Sequence, residues 1–281
     1  MPITPTVVTF PAGDLVAQAN VQAVLDTARG PVVVTDRTPF HPVDHRWPDQ
    51  GADVGVLVTE GGRLPVTDCV IVATDGEAVQ VGAEITARRG DQGWVFAVGH
   101  LVADPAPAEG ATVSLSVDEQ PRAALSAGHT ACHGASLALN AALSGSWSKP
   151  VPVDDLGSPD FDGQALTSSL ITPFGATDRY RLGKSLRKKG FDVSSLDIGA
   201  VVAAVNERLA AWVAANAPVR IETAGPLLTD LREWVCELPE GIARIACGGT
   251  HLINLGQLGA ITVNLELGAD ELVMTTVAVP A

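Results

Sequence analysis

Residues 54–117 are cut into short apolar runs by turn-forming residues, and this punctuation restricts the segment to short antiparallel strands. The runs fall at 54–59, 68–73, 78–81, 93–98 and 112–117, and Gly, Asp and Pro clusters lie between them. At Gln120 the texture changes. Residues 122–143 are rich in Ala and Leu and lack Pro, which predicts a long helix. A second helix is expected over 194–216, ending near Ala217-Pro218, and strands over 219–223, 234–238 and 242–246. A closing hairpin is expected from 260–267 and 272–279 around Gly268. Residues 31–35 read as a buried strand, 18–28 as a short helix, and 38–53 and 145–178 as loop. No internal repeat is evident. The expected fold class is α+β. A small antiparallel β-barrel or sandwich module covers 1–120, and an α+β domain with helices packed on an antiparallel sheet covers 121–281.

The chain has 281 residues, 46% of them hydrophobic and 18% charged, the profile of a packed protein rather than a disordered one. No apolar run reaches the ~18 residues that span a bilayer. The N-terminal Met-Pro-Ile-Thr-Pro-Thr lacks the basic region of a secretory signal, so a cytoplasmic setting is expected. Four scattered cysteines, Cys69, Cys132, Cys236 and Cys247, do not make a disulfide scaffold; in a reducing compartment a cysteine near histidines reads as a metal ligand or nucleophile. A net charge of −14 argues against nucleic-acid binding, except at one place. Arg179, Arg181, Lys184, Arg187, Lys188 and Lys189 hold six of the eighteen basic residues, and this cluster is either a phosphate-binding strip or a solvated face.

Two short motifs carry chemistry. His129-Thr-Ala-Cys-His133 puts two imidazoles one helical turn apart on one face, a geometry that reaches a single metal ion. Cys132 between them points elsewhere and is expected in the core. Far downstream, Cys247-Gly-Gly-Thr-His251 brings a thiol and an imidazole around two glycines that permit a tight turn. Together the motifs supply three histidines and one cysteine, a full tetrahedral zinc set.

In their order and spelling these motifs resemble the editing domain of alanyl-tRNA synthetase, and more closely its stand-alone AlaX-type relatives, the aminoacyl-tRNA deacylases. Leu252-Ile-Asn-Leu-Gly-Gln-Leu-Gly259 follows the same pattern, and Asp36-Arg-Thr-Pro-Phe-His-Pro42 resembles the family's Asp-Arg-Thr-x-Phe-Tyr-Pro. The resemblance covers about residues 31–265. It implies Zn(2+) held by His129, His133, Cys247 and His251, and hydrolysis of the ester joining a wrong small amino acid to tRNA. The loop after Pro42 departs from the family. Val43-Asp-His-Arg-Trp-Pro-Asp-Gln50 is longer and lacks the family's Gly-Gly-Gly-Gln, and His41 stands for the tyrosine. Gln50, Asp53 and Gly55 still align. The altered loop bears on which amino acid is removed, and a Ser- or Thr-like residue, fluorothreonine included, is expected.

An aminoacyl ester is already activated, so the site must orient it, supply water and stabilise the oxyanion. Gln50, Thr250, His41 and Asp53 are the expected catalytic residues; for His45 and Asp49 the plainer turn or cap role is expected, and for His100 simple packing. Four protein ligands close the tetrahedron, so either one ligand yields, the ion becomes five-coordinate, or it chiefly positions substrate. The six basic residues of 179–189 are the expected contacts to the acceptor end of mischarged tRNA, with no membrane involved. Two other readings stay open: a zinc hydrolase of a small ester or amide without tRNA, favoured by the acidic balance, and a non-catalytic structural zinc module.

Overall fold

The computed structural model describes residues 2–281 and resolves into two compact units, each treated by itself. The first comprises the chain up to Ala123 with Thr223–Arg232 and Gly248–Thr250; the second comprises Ala124–Glu222, Glu233–Cys247 and His251–Ala281.

The first unit is built on an eight-stranded antiparallel sheet. Its order across the sheet is Gly62–Val66, Gly55–Thr59, Thr112–Val117, Val16–Thr27, Gly30–Thr35, Val95–Leu101, Asp68–Thr74 and Val79–Val81. Among the described residues no ladder joins the two outermost strands, so where a barrel or sandwich is expected the strands form an open antiparallel sheet and no closed barrel. Both faces are covered. Val33, Ile71, Val98 and Leu115 enter one apolar cluster, while their chain neighbours Val32, Val34, Val70, Val72 and Ala97 enter another. That is why runs such as 31–35 are continuously apolar instead of alternating.

All but Ala28 of residues 18–28, expected as a helix, lie in the strand Val16–Thr27. Ala19 and Val21 enter one apolar cluster and Ala23 the other, because a register shift between Val21 and Ala23 breaks the simple two-residue period. Strand neighbours on both sides override the helical preference of alanine.

The second unit packs helices on a four-stranded antiparallel sheet ordered Leu166–Thr172, Gly175–Arg181, Glu271–Pro280 and Leu258–Leu267. A separate three-stranded sheet is formed by Val219–Thr223, Arg232–Leu238 and Gly241–Ala246. The helices are α1 (Glu119–Ala142), α2 (Phe161–Ala165), α3 (Lys184–Lys188) and α4 (Ile198–Ala214). Asp197 caps α4, its carboxylate accepting from Ala200 N at 3.0 Å. Val205, Leu209 and Trp212 of α4 are buried, and Asn206 pairs with both backbone groups of Val263, at 2.7 and 3.0 Å. The helix thereby covers the free edge of the sheet, which would otherwise offer unpaired donors and acceptors.

The expectation of loop over 145–178 is corrected by α2 and by the hairpin Leu166–Thr172/Gly175–Arg181. The second hairpin strand buries Ala176, Asp178 and Tyr180 and exposes Arg179 and Arg181. A carboxylate at a core position hides that alternation from a hydrophobicity reading.

Candidate metal centre

Helix α1 delivers His129 and His133 from adjacent turns, with ring centroids 4.8 Å apart. Its placement depends on Gly128. A Cβ there would lie 2.3 Å from Thr172 O and 2.6 Å from Gly175 O, so the helix rests directly on the turn of the first hairpin. Phe174 N donates to Ala124 O at 2.9 Å and ties the same turn to the helix.

Cys247 follows the strand Gly241–Ala246. Its Sγ lies 3.5 Å from His129 Nε2 and 3.2 Å from His251 Nε2. The His251 ring is 4.3 Å from that of His129 and 5.1 Å from that of His133. One donor atom from each of the four residues falls within 4.8 Å of the others. Ligands at ordinary Zn–S and Zn–N lengths around a tetrahedron stand roughly 3.5 Å apart, so the spacing suits a single ion.

The chemistry fits as well. His133 packs on Trp234 at 5.1 Å, and its Nε2 is buried without a hydrogen-bond partner. Burial pushes its pKa down to about 3, which keeps the imidazole in the neutral form that ligates. Thr130, a residue the motif reading passed over, sits behind the site. Its Oγ1 accepts from Leu252 N at 3.0 Å and lies 3.3 Å from His251 Nδ1, leaving Nε2 turned toward Cys247. An outer partner of this kind fixes the ring and its tautomer. His129, His133, Cys247 and His251 could therefore hold one metal ion. Cys132 faces away as expected, its thiol 3.4 Å from Asp178 Oδ2 in the interior.

The remaining candidates fall in different places. In the first unit, the Gln50 carboxamide is gripped at both ends: Nε2 donates to Thr250 Oγ1 at 2.9 Å, and Oε1 accepts from Thr250 N at 3.1 Å. Gly248 in the same turn has no left-handed φ, and an added Cβ would meet only Arg232 Nη2 at 4.0 Å, so the expected need for glycine is not felt there.

Asp53 is buried in a bidentate pair with Arg122, whose Nε reaches Oδ1 at 2.7 Å and whose Nη2 also holds Asp53 and Pro39 O. Asp53 accepts further from His41 N at 2.5 Å. The His41 ring sits edge-on to Phe10, 5.1 Å away, and its Nδ1 is unpartnered. Burial lowers its pKa to about 4; Asp53 opposes the shift, while Arg122 and Arg232 add to it. His41 is thus uncharged at neutral pH. Asp49 is pushed up to about 6, mainly by burial, against the hydrogen bond from Gln50 N. His100 is fully buried, bonded to Val33 O at 2.9 Å and Thr38 Oγ1 at 2.8 Å, a packed histidine.

The basic cluster is exposed and divided. Arg179 pairs with Glu271 at 2.9 Å, Arg187 with Asp270 at 3.4 Å, and Lys189 Nζ donates to Gln164 at 2.5 Å. Arg181, Lys184 and Lys188 make no ion pair among the described residues. No helix among the described residues is long and apolar enough to cross a membrane.

No family model matches the chain. Over 246 residues, 84% of its length, the chain is 31% identical to the alanine–tRNA ligase of Chlorobaculum tepidum. It spans 24% of that relative. With both motifs in place on an α+β fold, the chain is a distant homologue of one stretch of an alanine–tRNA ligase.

Proposed function

We propose that the chain is a trans-acting, zinc-dependent aminoacyl-tRNA deacylase of the AlaX type. It would cleave the ester that joins a small Ser- or Thr-like amino acid, fluorothreonine included, to a mischarged tRNA. The observation that carries this reading is the convergence of His129, His133, Cys247 and His251 on one point. Zn(2+) held there would polarise the ester carbonyl or lower the pKa of a bound water to about 7.

The chain's own residues would do the rest. Gln50 fixes the hydroxyl and N–H of Thr250, the residue before His251, and so holds the turn in one orientation. Asp53, engaged by Arg122 and by His41 N, is a positioning residue that sets the path of the loop between them. His41, neutral and enclosed, belongs to the same scaffold. Arg181, Lys184 and Lys188 are the cations open to phosphates of the acceptor end, while Arg179, Arg187 and Lys189 share their charge with neighbours or a carboxamide. The activity belongs in the cytoplasm, where tRNA is charged.

The test is a deacylation panel of Ser-, Gly-, Ala-, Thr- and fluorothreonyl-tRNA, run with metal analysis. Release of at least one amino acid, lost in Cys247→Ala, is the expected result; no release from any defeats the reading. The closed set of four donors favours one alternative, an ion that only supports the fold. In that case chelation lowers Tm and no ester is cleaved.

A further inference from the structure

The chain has five tryptophans, one tyrosine and six phenylalanines, and among the described residues only Trp47 of these is exposed, at 44%. Its exposure is built in. The Asp44 carboxylate accepts from Arg46 N at 2.8 Å and Trp47 N at 3.2 Å, and Arg89 clamps Asp44 at 2.5 Å. The neighbouring His45 ring lies against Phe96, centroids 6.2 Å apart, and Trp47 O accepts from Asp49 N at 2.9 Å.

Arg46, Arg88 and Arg89 are also exposed, and the Arg89–Asp44 pair ties their two segments together. An exposed indole in a loop region that also carries exposed guanidinium groups can stack an unpaired base and hold its phosphate. A docking protein would want a wider apolar patch, and here Trp47 has Arg46 beside it in the chain and Arg89 across the loop.

The geometry points to a stacking site, formed by Trp47 with Arg46, Arg88 and Arg89, for an unpaired terminal base of a single-stranded RNA end. The inference rests on the deacylase reading for its partner and adds a contact that reading lacks. It gives a use to the glycine-free loop 43–50, whose last residue is the Gln50 held by Thr250.

The test uses the full chain and a short ribo-oligonucleotide ending in unpaired adenosine, beside one of equal length whose last residue is abasic. The adenosine-ended strand is expected to quench indole emission and to protect it from acrylamide, whereas the abasic strand does neither. Trp47→Leu should weaken binding on the order of tenfold, while Trp47→Phe keeps most of it. Unchanged Tm and metal content in Trp47→Leu exclude misfolding, and the acrylamide protection is read on unaltered protein in any case. Equal affinity in Trp47→Leu, or equal quenching by the abasic strand, overturns the inference. Quenching without deacylation of any charged tRNA removes the deacylase reading and leaves the base site standing. Deacylation with Trp47→Leu unchanged in KM does the reverse.

Discussion

Three imidazoles and a thiol could hold one metal ion, but they are not equivalent. His133 is enclosed against Trp234 with an orphaned Nε2, so the folded chain leaves a polar group unsatisfied until an ion arrives. Cys247→Ser and His133→Ala are each expected to drop bound zinc from about one equivalent to well below half, read by elemental analysis, and to abolish hydrolysis. Gln50→Leu should behave differently. It loses both bonds to Thr250 but is not one of the four donors, so metal content stays whole while kcat/KM falls roughly tenfold or more. The four donors were nominated in sequence by the two motifs taken together and by their resemblance to the editing-domain family, and the fold brings one atom of each within 4.8 Å of the others. The partnership of Asp53 with Arg122 was not, since the two stand 69 residues apart and neither has a motif. Thr130 escaped notice for another reason: its hydroxyl acts on His251 from 121 positions away.

At the scale of elements, α1 is positioned by a missing side chain. Gly128→Ala should drive a methyl into the carbonyls of Thr172 and Gly175, costing about 1–3 kcal/mol or more. A fall in Tm together with weaker zinc retention checks it, because His129 is the next residue. Helix α2, which leads into that hairpin, carries a titrating group. Tyr180 OH donates to Asp162 at 2.9 Å, and burial raises the Asp162 carboxyl from 3.8 to about 7. Below pH ~4 the acid is protonated folded and unfolded alike; between about 4 and 7 the unfolded chain releases the proton first, so stability drains as pH rises. Asp162→Asn, which still accepts from Tyr180, should therefore gain on the wild type steadily from pH 4 to 7 in denaturant melts. A constant difference across that range would disprove the assignment. The long helices and the closing hairpin followed from composition and turn signals. The strands over 16–27 and 166–181 did not, because a register shift disrupted one pattern and a buried Asp178 the other.

On the scale of the whole molecule, the proposed function asks an acidic protein to meet a polyanion through a narrow window of positive charge. Replacing Arg181, Lys184 and Lys188 together by Ala should flatten the slope of log Kd against log salt by roughly 0.7–0.9 for each phosphate that the variant no longer neutralises. Turnover of a minimal charged oligonucleotide at low salt should change far less than that of full tRNA. A metal bound at the proposed site would have a matching global role. His129 and Cys247 are 118 residues apart, so an ion there would close a very long loop, and a chelator melt should show a lower Tm for the second unit. That separation also sets a timetable for biosynthesis. At about 5–20 residues per second, roughly 6–24 s pass between translation of the first histidine and of the cysteine. During that interval the nascent polypeptide would carry only a two-pronged chelate, and metallation under the proposed function would be a late event of its maturation.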